Sequence, residues 1–295
     1  MKTLQYLPFA LLFLFTGASA QTPAEDEMYR SVISIEGKTR TGRADFIRNQ
    51  LRKMGIGYFT VPFEYFAYRA TDTLDLSGES IVVRIGSGSK RIVVGAHFDA
   101  WEGSQGANDN GSGVAVVLEL IKTLRSQTWK CTIDFCFFDQ EEKGLLGSQF
   151  YIERVLERKN HYGMINLDVV GTGEELFVGP VGGGDDEFLM PLVRKASRQT
   201  KFPYQERRFY PSSDHQAFAK ARLENISISV VPKGDSELLS RMTKAGGRID
   251  PKNIPQVMKV MHTPDDRSDQ IRPEALKMAY EFTKTLLQLI DDSIK

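Results

Sequence analysis

Cysteine is scarce in this chain: 295 residues hold two, Cys131 and Cys136. In one extended strand they would stand about 16 Å apart, at about 3.3 Å per residue, whereas a disulfide closes at less than about 7 Å between Cα atoms. Both therefore read as packing residues, and the fold has to stand without staples. An excess of either charge is also missing, with 38 basic and 38 acidic residues, which argues against a nucleic-acid surface. Beyond the first twenty residues no apolar run approaches the roughly 20 residues needed to cross a bilayer. The glycines at 86 and 88 lack the spacing and the following helix of a phosphate loop. Repeats, low-complexity tracts and Pro- or Ser-rich linkers are absent as well, so one domain over residues 21–295 is the economical reading.

What is present is a globular composition, 41% apolar, enough to bury a full core. Residues 1–20 form a separate unit: Lys2 is their only charge, an apolar run follows from Leu7 to Phe15, and small residues close at Ala18, Ser19 and Ala20. This is the layout of a signal peptide, and it predicts an exported protein, periplasmic or secreted, without a membrane anchor. Two helices are expected over 24–54, then strands from Tyr58 to Tyr68. Ile81 to Ile85 and Arg91 to Ala96 flank a turn-rich stretch and suggest a hairpin. From there helices and strands alternate: Val114–Leu124, Thr132–Phe138, Leu145–Arg158, Met164–Val170, Leu176–Val178, Phe188–Ala196, Ile226–Val231 and an amphipathic closing helix around Leu276 to Ile290. Such an order predicts an α/β three-layer sandwich with a mostly parallel mixed central sheet.

Ligands of open α/β sheets gather beyond the carboxyl ends of the strands, and titratable residues are dense there. His97 and Asp99 follow one strand, and Asp109 lies between Asn108 and Asn110 in the next loop. Glu141 and Glu142 follow a second strand, Asp168 interrupts the apolar run of a third, and His262 precedes the last helix. Singly, each has a bland reading. Asp109 with Asn110 and Gly111 suits a turn, and Glu141 with Glu142 suits a solvated helix start. As a set, two imidazoles and three carboxylates are donors that zinc takes without a thiolate. Three carboxylates and one hydroxide offset the charge of two Zn²⁺, which motivates two metals better than one.

The chain resembles the M28 peptidases, cocatalytic zinc aminopeptidases with a phosphorylase/hydrolase-like fold. The motifs are Gly95 to Asp99; Gly106 to Gly113; Phe138 to Ser148; Asn166, Leu167, Asp168; Ser213, Asp214, His215; and His262 to Asp266. They stand in family order over about two-thirds of the chain that follows the first twenty residues. The resemblance implies His97 and Asp168 on one zinc, Glu142 and His262 on the other, and Asp109 bridging. It makes Glu141 the general base, Asp99 the partner that orients His97, and Tyr210 a candidate for stabilising the oxyanion. Peptides with a free N-terminus would be the substrates.

Ser213, Asp214 and His215 are neighbours and do not make a hydrolase triad, whose members come from separate elements; His215 reads as structural or as an outer partner of the site. His161 reads as solvated, and the triplet beginning at Asn225 opens a buried strand and carries no function. The stretch from Asp235 to Pro255 could form a flap over the site. Glutaminyl cyclases share the fold and a similar Phe-Phe-Asp-x-Glu-Glu segment but use one zinc. The segments Asp109–Gly113 and Gly144–Ser148 favour the peptidase, and Met261 departs from the tryptophan common before the cyclase histidine. A third reading, a metal-free binding relative, meets the objection that every ligand position is filled.

Overall fold

The computed structural model describes residues 22–68, 73–182 and 188–294; the expected signal peptide, residues 1–20, lies outside them. The chain enters through α1 (Pro23–Ile35), started by a capping box in which Thr22 and Glu25 satisfy each other's backbone N–H. Next comes α2 (Arg40–Lys53), capped by the Thr39 hydroxyl, which accepts from Gly42 N–H at 3.2 Å. Then follow β1 (Phe59–Phe63), β2 (Phe66–Tyr68), β3 (Thr73–Asp75), β4 (Gly78–Ile85), β5 (Arg91–His97), α3 (Gly113–Leu124), β6 (Thr132–Phe138), α4 (Leu146–Arg154) and β7 (His161–Leu167). The remainder is β8 (Glu175–Gly179), α5 (Leu189–Thr200), β9 (Tyr204–Glu206), α6 (His215–Lys220), β10 (Asn225–Val231), α7 (Asp235–Lys244) and α8 (Pro273–Ser293).

Eight strands make one sheet in the order β1-β4-β6-β5-β7-β10-β8-β9, while β2 and β3 pair apart from it. The core of the sheet, β6, β5, β7 and β10, is parallel, and antiparallel strands join it on either side. Residues alternate between its faces. Ile92, Val94, Ile133, Phe135, Ile165 and Ile226 pack under α1, α2, α3, α5 and α8, and Val93, Cys136, Phe138 and Met164 pack under α4 and α6. The expected mixed α/β sandwich is what forms. Both cysteines are buried and free. Among the described residues no helix is long and apolar enough to cross a membrane.

Two local expectations fail. β4 and β5 do not form a hairpin, because β6 lies between them, antiparallel to β4 and parallel to β5. Strands two places apart are separated by about 10 Å, a gap that residues 86–90 can span. They cross the start of β6, where Thr132 donates its N–H to the Lys90 carbonyl (2.8 Å) and its hydroxyl to that of Gly88 (2.7 Å). In addition, β7 stops at Leu167, so Asp168 stands just past a strand end rather than inside a buried strand. The strands expected from Tyr58 to Tyr68 are β1 and β2, which lie in different sheets.

One turn joins this frame to the acidic pair after β6. The Asp139 carbonyl accepts the N–H of Gly147 at 2.8 Å, closing the chain back onto α4. A Cβ at Gly147 would stand 2.5 Å from Asp139 N and 2.6 Å from its carbonyl oxygen, backbone atoms that cannot swing aside. Gly147→Ala should therefore cost about 1–3 kcal/mol, the usual penalty of overpacking, in urea unfolding at neutral pH; a variant as stable as the wild type would show that the turn yields freely.

Candidate metal centre

The strand order places the chemistry. β5 lies between β6 and β7, so the connection leaving β5 passes between the residues that follow its two neighbours. His97 closes β5, Glu141 and Glu142 follow β6, Asp168 follows β7, and Asp109 lies on the turn Ala107–Ser112 that leads into α3. His97 Nε2 is 3.2 Å from Asp109 Oδ1 and 3.4 Å from Asp168 Oδ1. His262 Nε2 is 3.1 Å from Asp109 Oδ2 and 3.4 Å from Glu142 Oε2. The two oxygens of Asp109 thus face different imidazoles, and the five residues form two donor triplets that share it.

The surroundings aim each donor. His97 Nδ1 lies 3.2 Å from the Asp99 carbonyl oxygen; a carbonyl only accepts, so Nδ1 carries hydrogen and Nε2 is turned to the cluster. The Asp99 carboxylate is 3.5 Å from the same Nδ1 and accepts the backbone N–H groups of Glu141 (3.0 Å) and Glu142 (3.1 Å). Around Asp109 its neighbours do structural work. Asn108 Oδ1 accepts from Gly171 N–H (2.8 Å), Asn110 Nδ2 donates to the Leu167 carbonyl (2.8 Å), and Ser112 Oγ accepts from Val170 N–H (3.0 Å). The turn reading of this segment is therefore right for its neighbours, while Asp109 points at the cluster.

Charge in this buried space is balanced by the imidazoles. Burial pushes the His97 pKa down, yet the facing charge of Glu141 and the hydrogen bonds of Asp109 and Asp168 hold it well above its usual value. Hydrogen bonds to Asp109 and Glu142 raise that of His262 to about 10. Burial would raise the Asp109 carboxyl, but both histidines hold it well below the usual range. Glu141 and Glu142 are both pushed up by burial, against the positive charge of the histidines.

These residues fit a pair of divalent cations. Ligand atoms roughly 2.0–2.2 Å from one tetrahedral ion stand about 3.3–3.6 Å apart, close to the gaps of 3.1–3.4 Å across each triplet. The donors are nitrogen and oxygen without thiolate, and the buried Glu142 Oε1 has no hydrogen-bond partner. All five, with Glu141, line a cavity of about 420 Å³ whose far wall is apolar: Val169, Phe177, Val231, Leu239, Met242 and Met258.

Tyr210 also lines this cavity. Its hydroxyl is 2.6 Å from Ser229 Oγ, and Ser229 donates its one proton to the Asp168 carbonyl at 2.5 Å; Tyr210 is therefore the donor to Ser229. Ser213 accepts from Asn166 Nδ2 (2.7 Å), and the His215 ring stands edge-on to Tyr210 at 5.5 Å, so no triad forms. His161 is half-buried rather than solvated: its Nε2 lies 3.0 Å from the Glu224 carbonyl, against α6. The stretch 235–255 begins with α7, whose Leu239 and Met242 form part of the cavity wall. Sequence reasoning passes over several contributors: Arg43 beneath the loop after β5, Trp101 stacked on His262 at 4.6 Å, Ser229 and the methionine wall. Only Asp266 carried a signal, its place in the motif that begins at His262.

A layered α/β sheet with a nitrogen- and oxygen-donor cluster beyond its strand ends defines an α/β protein with a candidate metal site. Residues 80–287 match the model of Peptidase family M28, and the chain belongs to that family. It is similar to aminopeptidase YwaD of Bacillus subtilis (strain 168), 32% identical over 194 residues that cover 64% of this chain and 38% of that protein. Across the first curated relatives it matches, the chain aligns with only 28% to 38% of their length. Its fold is like that of BSAP, a zinc aminopeptidase from Bacillus subtilis, with a TM-score of 0.70 at 17% identity over 89% of this chain and 93% of that one. It is also like that of Porphyromonas gingivalis glutaminyl cyclase, with a TM-score of 0.65 at 21% identity over 92% and 97%.

His215 gives a test of the packing behind Tyr210. Burial lowers its pKa from the ordinary 6.5 to about 3, so between those values the unfolded chain takes up a proton that the folded chain refuses. Stability is lost as pH falls through that window, by up to roughly 1.4 kcal/mol per pH unit. Relative to His215→Phe, the wild type should lose unfolding free energy between pH 6.5 and 4 in parallel urea titrations; a gap that stays constant over this range would contradict a buried neutral imidazole.

Proposed function

We propose that this chain is an exported, zinc-dependent aminopeptidase that removes N-terminal residues with apolar side chains from peptides. One observation carries the reading: Asp109 presents an oxygen to each of two imidazoles, 3.2 and 3.1 Å away, in the lining of a largely apolar cavity. His97 and Asp168 would hold one zinc, Glu142 and His262 the other, with Asp109 between them. When bound, the two cations would lower the pKa of a water and polarise the scissile carbonyl. Export rests on residues 1–20.

Glu141 is the general base of this proposal. It lines the cavity beside both triplets and belongs to neither. Its backbone N–H is fixed on Asp99, and burial raises its carboxyl pKa, the direction in which a carboxylate becomes a better proton acceptor from the attacking water and a donor to the leaving amine. Asp99 keeps His97 in the tautomer that turns Nε2 inward. Tyr210 would leave Ser229 to donate its hydroxyl to the developing oxyanion.

The apolar wall speaks to the substrate. A charged side chain placed among Leu239, Met242, Val257 and Met258 would lose its hydration without a partner, while methionines adapt to branched or aromatic shapes.

Three measurements check the reading. Metal analysis should give two zinc ions per chain, with release of an amino acid from a chromogenic anilide. One zinc, with pyroglutamate formed from glutaminyl peptides, would assign the chain to the cyclases. Glu141→Gln should keep its metal and lose turnover by about 10²-fold or more; undiminished turnover would remove Glu141 from its role. Leucyl anilide should exceed alanyl anilide in kcat/KM by about 10-fold or more and lysyl or aspartyl anilides by a larger factor, whereas a preference for a charged residue would contradict the apolar wall.

A further inference from the structure

The loop from His97 to Asp109 is gripped at both ends by residues outside the donor set. Arg43, wholly buried on α2, donates to the carbonyl oxygens of Phe98 (3.2 Å), Gln105 (3.1 Å) and Gly106 (2.6 Å). A Cβ at Gly106 would stand 2.3 Å from Arg43 Nη2, so the guanidinium fills that space. Directly after Gly106, the Asp266 carboxylate accepts the N–H groups of Asn108 (2.8 Å) and Asp109 (3.0 Å), and its backbone carbonyl accepts that of Ala107 (3.1 Å).

Asp109 needs this grip. Its φ and ψ are −110° and 92°, outside the helical values of its neighbourhood, so a regular helix does not set its side-chain direction. Asp266, itself buried, stands four residues past His262 on one tight turn, where Asp266 donates its N–H to the Thr263 carbonyl at 3.2 Å. One short segment thus carries a donor imidazole and the acceptor that fixes the shared carboxylate. His97 and Asp168 are held otherwise, by β5 and by the bond from Asp168 N–H to the Ile228 carbonyl (3.1 Å).

We propose that Asp266 is a positioning residue that couples Asp109 to His262, so that the triplet Asp109, Glu142 and His262 takes its cation only while this clasp is closed, with Arg43 tying the start of the loop to residues 105 and 106. The inference rests on the two-cation reading above. A carboxylate that accepts two backbone N–H groups cannot be replaced by an amide, whose NH₂ would face one of those donors.

Stepwise Zn²⁺ titration of the full chain by calorimetry tests this. The wild type should show two binding steps; a single step would overturn the two-cation reading and the coupling with it. In Asp266→Asn the second step should weaken by about 10–100-fold, the range typical of residues that support ligands, while the first changes by only a few-fold. Equal loss in both steps alongside a fall in Tm, or no loss at all, would overturn the coupling while leaving the two-cation reading in place. Amide exchange on the wild type serves if the variant does not fold. The second equivalent of Zn²⁺ should slow exchange in residues 107–109 and 262–266 together, and slowing in one segment without the other, or in neither, would refute the clasp.

Discussion

Three carboxylates cannot share a buried space unless positive charge stands between them. Asp109, Glu142 and Asp168 do so here around two imidazoles, and the strong upward shifts of His97 and His262 express that demand as proton binding. A pair of divalent cations would meet the same demand with more charge and would release the imidazole nitrogens to act as neutral donors. The nearby backbone obeys this constraint. Asp99 and Asp266 each absorb two N–H groups, so the turns that carry the donors are tied by charge-assisted bonds rather than by packing alone.

Topology explains why five residues so far apart along the chain meet. Neighbouring strands lie about 4.8 Å apart, so the ends of β6, β5 and β7 span about 10 Å, the width of a two-ion site with its ligands. The middle strand supplies His97 and leads to Asp109, its neighbours supply Glu142 and Asp168, and Asp109 is therefore the one carboxylate able to face both sides. Its shared role follows from the position of β5 in the sheet. The short connection from β4 to β5 over the start of β6 keeps that order.

Much of this was legible in the sequence, because each strand-following donor comes directly after an apolar run that marks its strand. The α/β order and the places of His97, Glu141, Glu142 and Asp168 follow from such local signals, whereas Asp109 and His262 stood out through the donor set and the family resemblance. Asp168 shows the limit of the method: apolar residues continue through Val169 and Val170, so the run hides a strand that ends at Leu167. The false hairpin has a similar cause, since turn residues at 86–90 report a change of direction and say nothing about a strand, forty residues later, that slots between the two. Arg43 was illegible for a different reason. On a helix rich in arginine it resembles its solvated neighbours, and only the fold reveals three carbonyl oxygens waiting beneath it.

The cavity divides into a rigid half and an adaptable half that differ in origin. Strand ends and tight turns between residues 97 and 168 hold four of the five donors, where small displacements would spoil ion geometry. The apolar wall comes largely from residues 239–261, rich in methionine, on a helix and turns that cover the strand ends. His262 and Asp266 join the halves: one reaches into the cluster, and the other holds Asp109 in place. In the proposed function, a substrate side chain that presses on Met258 or Met261 would press on the segment that carries His262, which would link residue preference to ion geometry through one short stretch of chain.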